Sequence, residues 1–219
     1  KAGIKPIIGC EVYVATRTRF DKVNKIDGNN HLILLCKNET GYKNLIKMVS
    51  AAFVEGFYSK PRVDKQLLEQ YHEGLICLSA CLAGEVQRYL GRGMYEEACR
   101  SALHYETIFG KGNFFLELQD HGIPMQKTVN QGLLRMSREL GIDLVATNDI
   151  HYILAEDAVP HDILLCIQTG KRVTDENRMR YEGGQYYCKS EEEMRALFPY
   201  AQEAIDNTHK IAQRCNVEI

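Results

Sequence analysis

The chain has 219 residues, of which 45% are apolar and 26% are charged, and its formal net charge is −2. This is the composition of an ordinary globular protein with one sizeable core, and it excludes a strongly basic nucleic-acid-binding surface over the whole chain. No apolar run reaches the length of a membrane span and no signal peptide is visible, so we expect no membrane partner.

The eight cysteines indicate a reducing, cytoplasmic environment. Cys36, Cys77 and Cys166 lie inside apolar runs, where a free thiol behaves as a small hydrophobic side chain. No Cys-x-x-Cys pair is present, which excludes the usual zinc-ribbon and thioredoxin-like motifs. We therefore expect free thiols and a cytoplasmic location.

Strands and helices alternate along the chain. Apolar runs predict strands over residues 6–14, 31–36, 74–79, 114–118 and 142–145. Capping residues and helical spacing predict helices after Asn38 and Asp64 and over 83–91, 94–110, 124–140, 155–168, 190–198 and 201–215, with a short extended piece at 183–188. This alternation predicts parallel strands joined by crossovers, in either a barrel or an open sheet covered on both faces.

One short motif suggests a metal site. Asp149 and His151 follow the apolar run 142–145, and residues two apart in an extended segment project from the same face. A carboxylate beside an imidazole suits a divalent metal. An isolated Asp-x-His also arises by chance, so the interpretation depends on what else lies at that end of the sheet.

Other candidate ligands recur near predicted strand ends. Glu11 lies in the first strand, His31 begins the second, Cys81 follows the third and His121 follows the fourth. In α/β proteins, active groups gather at the carboxyl ends of strands. Taken singly, a surface carboxylate, a hydrogen-bonded histidine and a core cysteine are the commoner interpretations. Together they favour a site built from several strands.

These residues lie in segments that resemble a known family. Segments 3–11, 31–45, 60–64, 78–85, 117–122, 146–152 and 204–217 are similar, in order, to the PHP (polymerase and histidinol phosphatase) domain of the bacterial replicative DNA polymerase III α subunit. The likeness extends over the whole chain.

The resemblance implies an α/β fold, a distorted, TIM-like β/α barrel of seven strands with a cluster of metal ions at one mouth. It implies the metal ligands Glu11, His31, Cys81, Asp149 and His151. Because a thiolate is a soft ligand, zinc is the expected metal, with manganese or magnesium as alternatives. Further contacts to the site or to a phosphate are expected from His121, Lys60 and Arg62.

The family's earliest ligands, a His-x-His followed by an Asp and a His, have no counterpart in this sequence. The resemblance therefore implies a barrel that lacks its first strands and part of its metal site. Residues 1–154 would form barrel elements, and 155–219 a mostly helical part leading toward the polymerase palm. An opened barrel exposes strand edges, so we expect self-association or a disordered mouth.

By the same resemblance, the chain is a fragment of a DNA-directed DNA polymerase that acts in DNA replication, without that enzyme's nucleotidyltransferase centre. Expected partners are the palm and thumb of the same subunit, the proofreading exonuclease subunit and, through the holoenzyme, DNA. The domain's own role would be structural support or a metal-dependent exonuclease or phosphoesterase activity, which an incomplete ligand set would leave weak or absent.

Two alternatives remain at this stage. The first is a stand-alone PHP phosphoesterase of the histidinol-phosphatase kind, which the helical tail from Ser190 and the segment 38–45 disfavour. The second is an interaction module whose metal site has decayed. Metal analysis separates an active hydrolase from such a module.

Overall fold

Six strands form one sheet within residues 3–218, the part of the chain that the computed structural model describes. The strands are β1 (Gly9–Ala15), β2 (Asn29–Cys36), β3 (Arg62–Val63), β4 (Leu75–Leu78), β5 (Phe114–Leu118) and β6 (Leu144–Ala146). Their spatial order is β3-β1-β2-β4-β5-β6. Since β3 and β6 are the outer strands, the sheet formed by the described residues is open, as expected for a β/α barrel that lacks its first strands.

The pairing of the strands is mixed. Strands β4, β5 and β6 are parallel, and β1 is parallel to β3, whereas β2 runs antiparallel to both β1 and β4. The prediction of uniformly parallel strands is therefore wrong for β2. Segment 16–28 contains no helix and brings the chain back beside β1 as a simple reversal, whereas a parallel neighbour requires a crossover.

Eight helices cover the described sheet and its ends. They are α1 (Glu39–Val54), α2 (Lys65–Tyr71), α3 (Glu85–Gly91), α4 (Tyr95–Phe109), α5 (Pro124–Leu140), α6 (Ala158–Thr169), α7 (Glu191–Leu197) and α8 (Gln202–Arg214). A short 3-10 turn at Ala155–Asp157 directly precedes α6. A second one, at Glu182–Gly184, lies beyond the loop that follows α6. The predicted extended piece at 183–188 thus begins as a turn, and Tyr187 forms only a single bridge, to Tyr152.

The helix starts follow from local side-chain chemistry. The Asn38 side chain accepts the Gly41 N–H at 3.1 Å, and Asp64 accepts the Leu67 N–H at 3.0 Å. Ser190 and Glu193 form a reciprocal capping box at the start of α7. Each cap satisfies backbone donors that a helix leaves open at its first turn, which confirms the predicted starts of α1, α2 and α7.

The two faces of the sheet are buried differently. Along β4, Leu75 and Cys77 pack with the main core under the helices, while Ile76 and Leu78 belong to a second, smaller cluster on the opposite face. That opposite face is partly covered by Ile211 near the end of α8. We call it the inner face, because it also carries the candidate site.

None of the helices in residues 3–218 is both long enough and apolar enough to cross a membrane. All eight cysteines are free thiols, as the apolar setting of several of them predicts.

Candidate metal centre

The predicted ligands lie at one edge of the sheet. Because β2 is antiparallel to its neighbours, its amino end lies beside the carboxyl ends of β1 and β4. The His31 N–H at this end donates to the Ala83 carbonyl at 3.0 Å, which fixes the loop after β4 against β2. Strands β5 and β6, parallel to β4, end at the same edge.

Three predicted ligands touch one another. Glu11 and His31 lie diagonally across the β1–β2 ladder, and Glu11 Oε1 is 3.2 Å from His31 Nδ1. The Cys81 Sγ is 3.5 Å from the same nitrogen. Hydrogen bonds to Cys81 and to Glu11 raise the pKa of His31 to about 9, and the bond to His31 lowers the pKa of Glu11. Both partners therefore favour the protonated form of the imidazole.

Asp149 and His151 form a second group. Strand β6 ends at Ala146, so the pair lies in the loop beyond the strand and not on the extended segment that the sequence predicts. His151 Nδ1 is 3.0 Å from the Asp149 carbonyl oxygen and 3.6 Å from its carboxylate. The two side chains thus come together in the loop beyond β6, outside the strand.

Tyr181 lies close to both groups. Its ring centroid is 4.2 Å from that of His151, and the edges of Tyr186 and His161 pack around it. Burial raises the pKa of the Tyr181 hydroxyl, and the nearby carboxylates of Asp149 and Glu11 add to the increase. Sequence reasoning did not single out this tyrosine, because nothing local marks residue 181 as facing the strand ends.

The residues present supply donors of the types that zinc binds, namely a thiol, imidazoles and carboxylates. Their arrangement does not fit an ion. In residues 3–218 no group of three or more His, Cys, Asp or Glu side chains is placed to hold a metal. Glu11 and Cys81 instead both bond to a single nitrogen, Nδ1 of His31. No catalytic step through a metal follows from this arrangement.

His121 is buried behind the second group. The Gln126 side-chain oxygen accepts its backbone N–H at 2.8 Å, and the Gln126 amide nitrogen lies 3.0 Å from Nδ1. Nε2 lies 3.0 Å from Asn148 Oδ1 and 3.2 Å from the Asp149 backbone nitrogen. The ring stacks on Tyr186 with centroids 4.5 Å apart, and burial lowers the pKa of His121. Both ring nitrogens are thus occupied, Nδ1 by Gln126 and Nε2 by Asn148 and the backbone of Asp149.

Comparison with known proteins assigns the fold. A family model described as the PHP domain matches residues 1–121, more than half of the 219 residues. The chain belongs to the PHP domain family. The matched range contains Glu11, His31, Cys81 and His121, whereas Asp149 and His151 lie beyond it.

The similarity of this PHP domain to individual relatives extends over almost all of its length. It is 51% identical over 219 residues to the DNA polymerase III subunit alpha of Treponema pallidum, which covers 99% of this chain and 19% of that protein. It is 49% identical to the subunit of the same name from Borreliella burgdorferi and 44% identical to that of Thermus aquaticus, covering 19% and 18% of those proteins and 99% of this chain in each case. The chain spans about a fifth of the curated relatives it matches.

The two predicted phosphate contacts of the PHP domain have different surroundings. Lys60 is exposed, and its Nζ lies 5.4 Å from the ring centroid of Tyr13, which packs edge-on against His31. Arg62 is only 1% exposed and donates to the carbonyls of Gly56, Arg19 and Asp21. Its guanidinium is therefore engaged inside the fold, and of the two only Lys60 reaches the rim of the site.

Glu117 is the main residue of the site that the sequence reasoning missed. It lies in β5 on the inner face, is 4% exposed, and accepts the Ala80 N–H at 2.9 Å. Burial raises its pKa to about 7. The sequence does contain a sign of this residue, since one acidic residue interrupts the otherwise apolar strand Phe-Phe-Leu-Glu-Leu. The hydrogen-bond donors that make its burial possible come from segments distant in the sequence.

Proposed function

We propose that this chain is the PHP portion of a DNA polymerase III α subunit and that its role there is structural support of the replicative polymerase. The observation that carries the proposal is the similarity of nearly the whole chain, at 49–51% identity, to about a fifth of two α subunits. A stand-alone phosphoesterase would be expected to match relatives of its own length. The proposed parent is a cytoplasmic DNA-directed DNA polymerase acting in DNA replication.

The site supports scaffolding better than hydrolysis. A hydrolytic metal centre needs ligands that converge on the ion and leave an open position for water. Here Glu11, His31 and Cys81 satisfy one another. We propose that these three, with Asp149 and His151, are metal donors, zinc first, only in a longer polypeptide that supplies the remaining ligands.

The proposed partners follow from the same assignment. Residues 1–154 would support the remainder of the α subunit from the barrel side, and 155–219 would lead toward its palm and thumb. Contact with a proofreading exonuclease subunit, and with DNA through the assembled polymerase, belongs to this proposal as well. The net charge of −2 gives no reason to expect tight DNA binding by this part alone.

The test uses the full-length polypeptide that contains this chain and the isolated chain in parallel. We expect the full-length protein to extend a primed DNA template, and the isolated chain to show neither primer extension nor hydrolysis of a phosphate monoester or of single-stranded DNA with added zinc or manganese. A full-length polypeptide without polymerase activity would overturn the proposal. Hydrolysis by the isolated chain that disappears in Asp149→Ala would instead support the phosphoesterase alternative.

A further inference from the structure

Glu117 is a buried carboxylate of the site whose side chain bonds to none of the five predicted metal donors. Its strand neighbours Leu116 and Leu118 pack into the main core, so strand alternation turns Glu117 toward the inner face. Burying an ionisable group is unfavourable unless it is hydrogen-bonded. The hydrogen bonds of Glu117 therefore offset part of the cost of its burial, and the positions of its bonding partners show which segments the side chain connects.

The two oxygens of Glu117 bond to two different loops. Oε2 accepts the backbone N–H of Ala80 at 2.9 Å, in the loop that follows β4. Oε1 accepts the hydroxyl of Thr147, in the loop that follows β6, and also the Gln119 side-chain amide at 3.3 Å. All of these donors are neutral. A carboxylate accepts at both of its oxygens, so this one side chain bonds to donors on two loops at once.

The first loop carries Cys81. Ala80, immediately before it, has a φ of 66°, a left-handed conformation that is strained for a residue with a Cβ. Its N–H is held by Glu117 and its carbonyl accepts from the Gln87 amide at 2.9 Å. The Gln87 amide also donates to Ser79 Oγ at 2.7 Å, and the Glu117 N–H donates to the same hydroxyl at 2.8 Å. The sharp turn at Ala80 places the thiol of Cys81 against His31.

The second loop carries Asp149 and His151. The Thr147 N–H donates to the Leu118 carbonyl at 3.0 Å, so the loop starts in register with β5. Its hydroxyl then bonds to Glu117, and Asn148 is held by His121. Thr147, Asn148 and the Asp149 backbone nitrogen thus each bond to a residue of β5 or of the loop that follows it.

We propose that Glu117 is a positioning residue that ties the Cys81 loop to the Asp149–His151 loop and so fixes the spacing of the two groups of metal donors. The inference rests on the proposed role of those side chains as donors. Glu117 itself touches neither a donor side chain nor a bound group, and acts through Ala80 and Thr147.

The experiment uses the full-length α subunit and three variants that change the hydrogen bonds of Glu117. Glu117→Leu removes both acceptors. Glu117→Gln can accept from Ala80 and donate to the Thr147 hydroxyl, so it should restore the tie. Thr147→Val removes one hydroxyl at nearly constant shape and serves if Glu117→Leu does not fold. Asn207→Leu is the matched control, because Asn207 is also buried and bonds to the Leu144 carbonyl at 2.8 Å away from the two loops.

Two readouts are needed. Binding of cobalt(II), followed by its thiolate and ligand-field absorption, should weaken about tenfold or more in Glu117→Leu, the usual range for residues that orient metal ligands, and stay near wild type in Glu117→Gln. In metal-free protein, the rate of Cys81 alkylation by iodoacetamide, measured by peptide mapping against the exposed Cys188, should change in Glu117→Leu and Thr147→Val but not in Asn207→Leu.

The outcomes separate this inference from the proposed function. If wild-type protein binds no cobalt, the donor assignment fails, while the alkylation of metal-free protein still tests the tie between the loops. If Cys81 reacts at the wild-type rate in both Glu117→Leu and Thr147→Val, or if Asn207→Leu changes it equally, Glu117 is merely a buried core residue and the inference is overturned. Primer extension by the same preparations reports the proposed function independently.

Discussion

A charged side chain that sequence reasoning assigned to a phosphate supports the fold from within. Arg62 sits where segments 16–28 and 55–64 meet, and its donors satisfy the carbonyls of Gly56, Arg19 and Asp21. A buried carbonyl that loses its donor costs free energy, so the arginine is needed as a hydrogen-bond hub. The sequence alone does not indicate this structural role of Arg62, because it does not distinguish a buried arginine from an exposed one.

We predict that Arg62→Met lowers the free energy of unfolding by about 3 kcal/mol, because it leaves one buried and two partly buried carbonyls without their donor while keeping the apolar stem. Urea unfolding of both forms measures the change. Lys60→Met is the matched control on an exposed neighbour and should stay within about 0.5 kcal/mol of the wild type. Equal losses in the two variants would show that the hub has no special importance.

Acid sensitivity should arise in the same region. Arg17 donates two hydrogen bonds of 2.7 Å to Asp27, and the Val23 N–H donates a third of 2.7 Å. These lower the pKa of Asp27 from 3.8 to about 2, the hydrogen bonds from Arg17 contributing most. A carboxyl whose pKa is lowered by folding stabilises the protein above its unfolded pKa, and that stabilisation is lost as the pH falls toward the folded value.

We therefore predict that Asp27→Asn is less stable than the wild type at about pH 7 and that the difference shrinks at about pH 3 and below. Urea midpoints at a series of pH values provide the measurement. Glu192→Gln makes the same change of charge at an exposed residue and should show no such convergence. A difference between Asp27→Asn and the wild type that stays constant with pH would contradict the role assigned to Arg17.

At the scale of elements, local chemistry was sufficient for most helices and insufficient for strand pairing. The bounds of α5 and β5 match their predicted ranges, and Gly141 ends α5 in the left-handed conformation. The two-residue strand β3 was missed because pairing with β1, and not its own sequence, makes it a strand. The direction of β2 was wrong because it depends on which strands meet in space.

The site shows the same division. Glu11, His31 and Cys81 lie together. Glu11 and Cys81 follow from local strand position, whereas His31 reaches them only because β2 is antiparallel, which the local pattern did not predict. The five proposed metal donors as a set stay a prediction. Glu117 could not be assigned from sequence, since its compensation comes from Ala80 and Thr147 on separate loops.

Close packing between α1 and the turn before β4 gives a further prediction. In α1, a Cβ added at Gly41 would collide with the backbone of Gly74, including its carbonyl oxygen. Although alanine favours helices over glycine by about 1 kcal/mol, Gly41→Ala should lower the free energy of unfolding by about 2 kcal/mol or more.

Gly91→Ala, also at a helical position, provides the control. The nearest atom to its Cβ would be the flexible Met125 Sδ at 3.4 Å, an ordinary van der Waals contact, so this variant should be neutral or gain up to about 1 kcal/mol. Thermal or urea unfolding of the two variants decides the point. A gain in both would mean that helix propensity outweighs the contact between Gly41 and Gly74.

At the scale of the whole molecule, the exposed surfaces indicate where the isolated chain associates. The outer strands β3 and β6 have only two and three residues, and short edges are poor templates for pairing between chains. Helix α6 instead exposes a row of aliphatic side chains. Val159, Ile163 and Ile167, four residues apart along one side, are 69%, 46% and 72% exposed. A surface helix normally buries such a row.

We predict that the isolated chain self-associates through this row of α6, so that light scattering coupled to size exclusion gives a mass that rises with concentration above the 25.0 kDa of one chain. Ile163→Glu combined with Ile167→Lys should restore the monomer. The two new charges are four residues apart, with the glutamate first, an order that supports the helix while it removes the apolar contact. Ile46→Glu with Ser50→Lys places the same pair on the exposed side of α1 and should leave the association unchanged. A wild-type chain that stays monomeric at every concentration, or an α1 pair that dissociates it equally well, would show that the α6 row does not mediate contact between copies.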